Sequence, residues 1–501
     1  MGSSALSAAI GPIEVEFPGY SAQVYSLGQY KVALVTHAGD LQLTGIYILG
    51  FVLGPFLWAP GSEVFGRRPI YIWTLIPLTA FDAAVCGAKS MPALLICRFL
   101  AGTFGCSSMT NAAGIISDMF LAEQRGLAMG VFGAMPWLGP VVGPLVGGFL
   151  GEADGWRWVA AVVALFSALL AALHIIFLPE TYAPVLLRKR ATRLSANTGK
   201  VYRCHHDVAK PFSHRELITT QLKVPFKLLF TEPIVFTLCL YMACIFGILY
   251  MQFTSFPLVF KGARGWTSGE SALAFIPMSI GCNLALLYMV FWGNPKYAKG
   301  LQELGYQPPE ARLPSGFTGS VMLPVGLFIF AWTCVPVHIH WIVCMIGLLC
   351  FGSGMVLIFL ATQNYLVDAY LPTAASVMAA GTVTRSIIGV VLPLFTLNMY
   401  DALGINWASC VVAFIALVFT PVPVLLFVYG RRIRRLTKHG RMSDDHYLAL
   451  AEARTVLVRE KTREGDAEMA SRIPPINDID EENDDPVLED NLSERFANGV
   501  L

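Results

Sequence analysis

Long apolar segments separated by short polar turns fill most of the chain. They lie at about 42–60, 70–88, 92–118, 127–150 and 156–178, and then at about 231–259, 271–292, 317–337, 341–367, 374–398 and 406–429. A helix of about 20 apolar residues crosses the roughly 30 Å hydrocarbon core of a bilayer. The pattern therefore predicts an all-α membrane protein with eleven clear spans in two sets.

The first residues depart from this pattern. Residues 3–13 are small and apolar, but Glu14 and Glu16 follow at once, and residues 18–40 include Lys31 and Asp40. An apolar stretch of this length is too short to cross a bilayer. We therefore expect a partial first helix and an irregular segment over 18–40.

Polar segments divide the chain into an N-terminal bundle (1–178), a central loop (179–229), a C-terminal bundle (230–430) and a tail (431–501). Lys and Arg concentrate in the central loop and directly after the last span, and an excess of these residues marks cytoplasmic loops. Both segments are predicted to be cytoplasmic. The tail is predicted to be disordered, because its residues 478–494 include nine acidic and no basic side chains.

The composition agrees with a membrane protein. Of the 501 residues, 55% are hydrophobic and 14% charged, whereas about a quarter are charged in an average soluble protein. The sequence has no GxxxxGK[ST] loop, catalytic triad or metal-ligand spacing; the run Cys204-His205-His206-Asp207 stands alone in a polar segment. We expect no enzyme activity and no metal or cofactor, with energy from an ion gradient or from the gradient of the substrate itself. The expected partners are the bilayer and a small molecule, with no nucleic acid, and the expected state is a monomer.

A glycine- and proline-rich stretch, GPVVGPLVGGFL, lies in the 127–150 span. Its small and helix-bending residues are Gly139, Pro140, Gly143, Pro144, Gly147 and Gly148. Small residues four apart form one helix face on which a neighbouring helix can approach closely, and proline bends a helix. The stretch predicts a tightly packed, hinging helix, with the span around Gly389 and Pro393 as its partner. An ordinary packing face is the alternative.

Charged residues cluster where the spans at 42–60, 70–88 and 92–118 meet. They are Glu63, Arg67, Arg68 and Asp118. Carboxylates and guanidinium groups form strong bidentate hydrogen bonds, so these residues are predicted to form a latch that holds one of two conformations. Alternatively, the arginines only fix membrane orientation.

The two halves of the chain share spacing. Asp118 and Asp368 each close a span, and Gly139 and Gly389 each follow their aspartate by 21 residues. Internal repeats of this kind are typical of transporters with a cavity between two bundles.

Arg98 lies inside the 92–118 span. A charge there is costly, so it is expected to face the bundle interior and to help hold or release a proton on a neighbouring group. The alternative is an arginine that reaches the membrane interface, and Arg385 has the same two interpretations. Polar and aromatic residues within other spans are candidates for a cavity that binds amphipathic or cationic compounds, or else satisfied packing residues: Asn111, Tyr241, Tyr250, Gln252, Asn283, Asn364 and Tyr365.

Several of these stretches resemble motifs of the major facilitator superfamily. WAPGSEVFGRRP resembles its loop motif, GPVVGPLVGGFL its antiporter motif, and RFLAG around Arg98 its fourth-helix motif. LPETYAPVLLRKRA, PPEARLPSG and NYLVDAY resemble the fungal branch of the drug:proton antiporter family with twelve helices. The resemblance covers about 41–435. It implies two six-helix bundles related by pseudo-two-fold symmetry and proton-coupled export of drugs, xenobiotics or fungal metabolites by alternating access.

The loop motif falls on Glu63, Gly66, Arg67 and Arg68, with Glu63 in place of the usual aspartate, and Ala59 and Val64 replace the usual glycine and first arginine. SSALSAAIGPIEVEF resembles only the second half of the family's first helix. Three functions stay open: a drug or metabolite exporter, a polyamine exporter, and a transport-inactive paralogue or sensor with a truncated first helix. The plasma membrane is favoured over the vacuolar membrane.

Overall fold

A computed structural model describes eleven ranges of the chain: residues 2–6, 13, 16, 38–120, 122–202, 214–304, 307–335, 339–370, 373–437, 439–442 and 444–445. These ranges contain eleven helices long and apolar enough to cross a membrane, which confirms the predicted number. The chain divides into Met1–Ala451 and Glu452–Leu501. The second unit lies outside the described residues, and so do the acidic segment predicted to be disordered, residues 18–37 and the run from Cys204 to Asp207.

Five long helices form the N-terminal bundle: α1 (Ala38–Phe65), α2 (Arg67–Cys86), α3 (Met91–Met119), α4 (Ala122–Ala153) and α5 (Trp156–Phe177). Helix α1 therefore begins at Ala38, inside the segment expected to be irregular. Helix α1 packs along α3, and α2 packs against both α3 and α5. Short turns separate the helices; Gly66 and Gly155, with φ of 102° and 87°, precede α2 and α5.

The central segment predicted as a loop contains two helices, α6 (Ala183–Thr198) and α7 (His214–Thr231). Helix α7 contacts α1, where Phe226 stacks on Phe56 with ring centroids 5.6 Å apart. It also contacts the long helix α14 of the C-terminal bundle. The segment after the fifth span thus connects the two bundles physically as well as in sequence.

The C-terminal bundle begins with α8 (Pro233–Phe256), which continues as a π-helix over Pro257–Ala263. The helices that follow are α9 (Ser268–Ala272), α10 (Phe275–Tyr288), α11 (Asn294–Leu304), α12 (Pro314–Thr333), α13 (Trp341–Ala369), α14 (Ala374–Phe419) and α15 (Val422–Leu436). Gly404, with φ of 73°, breaks α14 into two spans. The last helix runs past the boundary expected at residue 431.

The two bundles meet along two seams. Helix α1 packs against α14, and α4 packs against α9 and α10. In α8 and α13, 78% and 72% of the apolar membrane-spanning stretch is buried inside the protein, whereas in α5 the share is 28%. Helices α8 and α13 therefore form the interior of the molecule, and α5 presents most of its surface to the surroundings.

Candidate functional site

Arg67 is the centre of a charged cluster at one end of the N-terminal bundle, called here the Arg67 end. Its Nε donates to Asp118 Oδ2 at 3.3 Å, and its Nη1 donates to Ser62 Oγ at 2.5 Å. The guanidinium also lies 5.0 Å from the centroid of the Tyr182 ring. The Arg67 side chain is only 11% exposed, so these contacts replace most of its hydration. The structure thus brings together two of the predicted latch residues, Arg67 and Asp118.

Glu180 is a member of this cluster that sequence reasoning missed. Its Oε1 accepts hydrogen bonds from the backbone N–H of Arg67 at 2.9 Å and of Thr181 and Tyr182 at 3.1 Å each. It thereby caps the start of α2, where backbone N–H groups have no partner within the helix. Gly66 allows this contact, because a Cβ on Gly66 would collide with the Glu180 carboxylate. The available signal was its place in LPETYAP, directly after the fifth span.

The two remaining latch residues lie beside this cluster. Arg68 is exposed, and its Nη2 donates to the carbonyl oxygen of Ile175, near the end of α5, at 3.1 Å. Glu63 is half-buried near Tyr182. Burial raises the pKa of Tyr182, and the Glu63 carboxylate acts in the same direction. A switching role for the whole set stays a prediction.

A second arginine–aspartate pair lies at the same end of the C-terminal bundle. Arg312 Nε donates to Asp368 Oδ2 at 2.9 Å, and the Tyr297 hydroxyl donates to the same oxygen at 3.2 Å. The Arg312 guanidinium lies 3.4 Å from the Tyr297 ring centroid. Burial alone would lower the pKa of Arg312, but the Asp368 carboxylate and the Tyr297 hydroxyl together outweigh it, and the pKa is raised. Asp118 and Asp368, which occupy equivalent positions in the two halves of the sequence, therefore each form an ion pair with an arginine, Arg67 and Arg312 respectively.

Arg434, on the last helix, contacts the two segments that carry the second pair. It donates to Glu310 Oε1 at 2.6 Å, to the Tyr365 hydroxyl at 3.1 Å and to Asp444 Oδ1 at 3.5 Å. Its side chain is 2% exposed. Tyr365, a predicted cavity residue, therefore belongs to the Arg67 end, where its hydroxyl contacts a structural arginine.

Gly148 of the glycine-rich stretch of α4 packs on α9 at the opposite end, which carries Trp156, whereas a Cβ on Gly147, in the row of glycines four apart, would collide with the carbonyl oxygen of Ala5. A Cβ on Gly148 would lie 2.7 Å from Ala272 Cβ and 3.1 Å from the Ser268 carbonyl oxygen. The Glu152 carboxylate also accepts from the Gly269 N–H, at the start of α9, at 2.9 Å. The close approach expected of this stretch is thus present, with Gly143, Pro144, Gly147 and Gly148 all buried.

The partner predicted for this glycine-rich stretch, the span around Gly389 and Pro393, was wrong. A Cβ on Gly389 would lie 2.9 Å from Phe246 of α8 and 3.8 Å from Ile48 of α1. Glycine content shows that a helix can be approached closely, but the arrangement of the bundles decides which helix approaches. In this chain α4 faces α9 and α10, while the helix of Gly389 faces α1.

Arg98 is 2% exposed and points into the bundle. This burial excludes the alternative interpretation, in which the Arg98 side chain reaches the membrane interface. Its Nη1 donates to the carbonyl oxygen of Gly2 at 2.5 Å and its Nη2 to that of Ser3 at 3.2 Å. The guanidinium lies 4.8 Å from the Tyr47 ring centroid. The buried carboxylate of Asp82, on α2, interacts electrostatically with Arg98. Sequence reasoning missed Asp82, because FDAAVC matches no motif and the residue forms no pattern with its neighbours.

The described positions of the N-terminal segment fill the space between Arg98 and the Trp156 end. Ala5, Leu6 and Ile13 belong to the buried core of this bundle. The Glu16 carboxylate accepts from Trp156 Nε1 at 2.8 Å and pairs with Arg157 at 2.5 Å. The hydrogen bond from Arg157 lowers the pKa of Glu16.

The residues proposed to line a cavity do not form one set. Tyr250 is buried between the bundles, and its hydroxyl lies 3.0 Å from Ser3 Oγ. The carbonyl oxygens of the buried Asn111 and Gln252 side chains have no hydrogen-bond partner among the described residues. The others lie elsewhere: Tyr241 stacks on Phe419 inside the C-terminal bundle at 5.1 Å, Asn283 is exposed, and Asn364 is half-buried beside Tyr365.

Arg385 lies near the centre of the molecule, between two aromatic rings. It is 9% exposed, and its guanidinium carbon is 5.5 Å from the ring centroids of both Phe246 and Phe359. The indole of Trp137, from the other bundle, packs edge-on against the same rings at 5.7 and 5.0 Å. Arg385 therefore faces the interior rather than lipid. Sequence reasoning singled out none of the three aromatic residues, since apolar rings within a span carry no distinguishing signal.

Comparison with known proteins identifies the family. A model of the Major Facilitator Superfamily matches residues 1–393. The multidrug transporter mdrA of Aspergillus fumigatus is 46% identical over 469 residues, which cover 92% of this chain and 77% of that protein. The efflux pump MFS2 of Trichophyton rubrum is 46% identical over 437 residues, covering 86% and 73%. The efflux pump FUBT of Fusarium oxysporum is 46% identical over 391 residues, covering 78% and 66%.

A solved structure shares the fold. The human organic anion transporter MFSD10 (TETRAN) superposes with a TM-score of 0.54 at 15% identity, over 85% of this chain and 97% of that one. The relatives are membrane transporters, which agrees with the prediction of a non-enzymatic protein. The family model that matches residues 1–393 and the relatives at 46% identity show that the chain belongs to the Major Facilitator Superfamily.

Proposed function

We propose that the protein exports small amphipathic molecules by alternating access, driven by a proton gradient. The observation that carries this proposal is the pair of buried charges at Arg98 and Asp82, placed inside one bundle of a two-bundle transporter. The fungal relatives named as a multidrug transporter and efflux pumps support export as the direction of transport. The favoured location is the plasma membrane, which a fluorescent fusion in yeast tests directly.

The Arg67 end supports the conformational part of the proposal. Arg67 with Asp118, and Arg312 with Asp368, join neighbouring helices within their own bundles. Such pairs keep each bundle rigid while the bundles rotate against each other. At the opposite end, α4 and α9 meet through Gly148 and Ala272, a contact that has to open when the cavity faces that side. Small residues suit a contact that opens and closes, because they lose little dispersion energy on separation.

Arg98 and Asp82 support the proton-coupling part. A nearby guanidinium favours the ionised form of a carboxylate, and removal from water favours the protonated form. A movement that separates the two groups therefore promotes proton uptake by Asp82, and a movement that brings them together promotes release. No other carboxylate in the described spans is as fully buried away from the Arg67 end.

The test is transport by the purified protein in liposomes with an imposed pH gradient. Asp82→Asn and Arg98→Ala are expected to lose gradient-driven transport but to keep exchange of labelled for unlabelled substrate, because exchange needs no net proton movement. Asp154→Asn, an exposed carboxylate at the end of α4, is the matched control. Full gradient-driven transport by both variants would contradict the coupling role.

The charges of the interior distinguish the proposed substrates. A polyamine exporter requires several carboxylates in its cavity, whereas the buried charges within the described spans, apart from the Arg67 end, are Arg98, Arg385 and Asp82. This set favours drug-like amphipathic molecules over polyamines. If the folded wild-type protein moves no compound in either assay, a sensor or inactive paralogue becomes the better description.

A further inference from the structure

We infer that the centre of the transporter binds the carboxylate of an amphipathic organic anion, through Arg385 and Trp137, while Phe246 and Phe359 hold its apolar body. This inference rests on the proposed function and assigns the charge of the substrate. It replaces the cationic alternative for the same site.

The first support is the state of the Arg385 side chain. A buried guanidinium ordinarily pairs with a carboxylate, because an unpaired buried charge is costly. Among the described residues, no carboxylate forms an ion pair with Arg385; its guanidinium lies over the faces of Phe246 and Phe359, and it interacts electrostatically with Cys106, Cys239 and Tyr250. Cation–π contact compensates only part of the lost hydration. The guanidinium thus carries N–H donors suited to an anion and has no carboxylate partner among the described residues.

The second support is a further buried donor beside the same rings. Trp137 is 1% exposed, and its Nε1–H has no hydrogen-bond partner among the described residues. Indole nitrogen only donates, so it too seeks an acceptor. Trp137 and Arg385 come from different bundles, and both contact Phe246 and Phe359. A carboxylate, which accepts through two oxygens, satisfies both donors, whereas an ammonium group satisfies neither.

The third support is the balance of charge around the site. Arg385 interacts electrostatically with Cys106 and Tyr250, and Tyr250 in turn lies near Arg98. The interior thus contains two guanidinium groups and the carboxylate of Asp82, which interacts with Arg98. An anion bound at Arg385 brings the net charge of these buried groups close to zero, while a bound cation increases their net positive charge. Because Trp137 and Arg385 lie on opposite bundles, bound anion also joins the two halves.

The experiment compares three compounds with one ring system and three charges: naphthalene-2-carboxylate, naphthalene-2-carboxamide and (naphthalen-2-yl)methylammonium. Binding to the purified full-length protein is measured by calorimetry, separately from transport in liposomes. The wild type is expected to bind the carboxylate at least about tenfold more tightly than the amide, since a hydrogen bond to a charged group contributes that much or more. The ammonium compound is expected to bind most weakly.

Variants locate the preference. Arg385→Gln is expected to remove the carboxylate preference while leaving amide affinity within about twofold, and Arg385→Lys is expected to retain part of it. Trp137→Phe, which keeps the ring and removes only the N–H, is expected to weaken carboxylate binding about threefold to tenfold. Arg190→Gln, an exposed arginine on α6, controls for loss of a positive charge.

Two outcomes overturn the inference: equal binding of the three compounds by the wild type, or an unchanged carboxylate preference in Arg385→Gln. Transport then tests the function separately. Selective carboxylate binding that depends on Arg385, without transport of any compound, supports the anion site and contradicts the exporter. Transport of the amide or the ammonium compound, without carboxylate binding, supports the exporter and overturns the anion site.

Discussion

Replacing Gly66 with alanine is expected to destabilise the protein more than the same change at two matched glycines. Gly66, Gly155 and Gly404 have φ/ψ of 102°/165°, 87°/169° and 73°/163°, a region that is almost exclusive to glycine. A Cβ at Gly66 meets the Glu180 carboxylate, while no described atom lies within 4 Å of a Cβ at Gly155 or Gly404. The three alanine variants therefore share backbone strain and differ in one contact.

The expected difference follows from the hydrogen bonds of Glu180. Strain in this backbone region costs about 1–3 kcal/mol at each glycine. At Gly66 the new methyl group also displaces a carboxylate that accepts three backbone N–H bonds. Hydrogen bonds to charged groups contribute about 1.5–3 kcal/mol each. Because Glu180 is half-buried and water replaces part of this loss, we expect about 2–3 kcal/mol in addition for the set.

The measurement is unfolding of purified protein by titration with sodium dodecyl sulfate, followed by far-ultraviolet circular dichroism. Gly66→Ala is expected to unfold at a lower detergent fraction than Gly155→Ala and Gly404→Ala. In a Glu180→Ala background the additional loss at Gly66 is expected to fall below about 1 kcal/mol, because the side chain that collides with the new methyl group and accepts the three hydrogen bonds is already gone. Equal destabilisation by all three alanine variants would refute the capping role of Glu180.

Three further predictions test other contacts. Gly148→Ala is expected to reduce transport, because the new Cβ would lie 2.7 Å from Ala272 Cβ. Adding Ala272→Gly to the same protein is expected to restore transport, and failure of this rescue would contradict the α4–α9 contact. The pKa of Glu16 is lowered by its partner Arg157, so the ion pair stabilises the fold above the unfolded pKa of about 4.3, and this stabilisation is lost as pH falls further. Glu16→Gln is therefore expected to flatten the dependence of the thermal unfolding midpoint on pH between pH 6 and 3. An unchanged slope would argue against a stabilising role of this ion pair. Arg434→Gln is expected to lower the unfolding midpoint more than Glu310→Gln does, because Arg434 has three polar partners; the reverse order would show that the arginine is not the centre of that cluster.

The sequence by itself determined the spans, the two-bundle family and the grouping of Arg67 and Asp118 in one charged cluster. Whether a segment of about 20 residues enters a bilayer depends on the transfer free energy of those residues alone, so a local window is sufficient. The same holds for the loop and antiporter motifs, whose residues are neighbours in the chain. Asp118 and Asp368 were placed correctly for a related reason, since both close their spans at equal distances from a glycine-rich helix.

Only the tertiary structure decided which groups meet across helices. It placed Tyr365 beside Arg434 and not in the expected cavity, and it placed Arg385 between aromatic rings. It also gave the glycine-rich stretch of α4 the N-terminal segment and α9 as partners, in place of the helix of Gly389. The structure also revealed the buried Asp82, which interacts electrostatically with Arg98, and Glu180 at the start of α2. The physical reason is that a helix presents several faces of similar hydrophobicity in lipid, where no solvent boundary marks the inward one. The inward face is chosen by packing between segments that are distant in sequence.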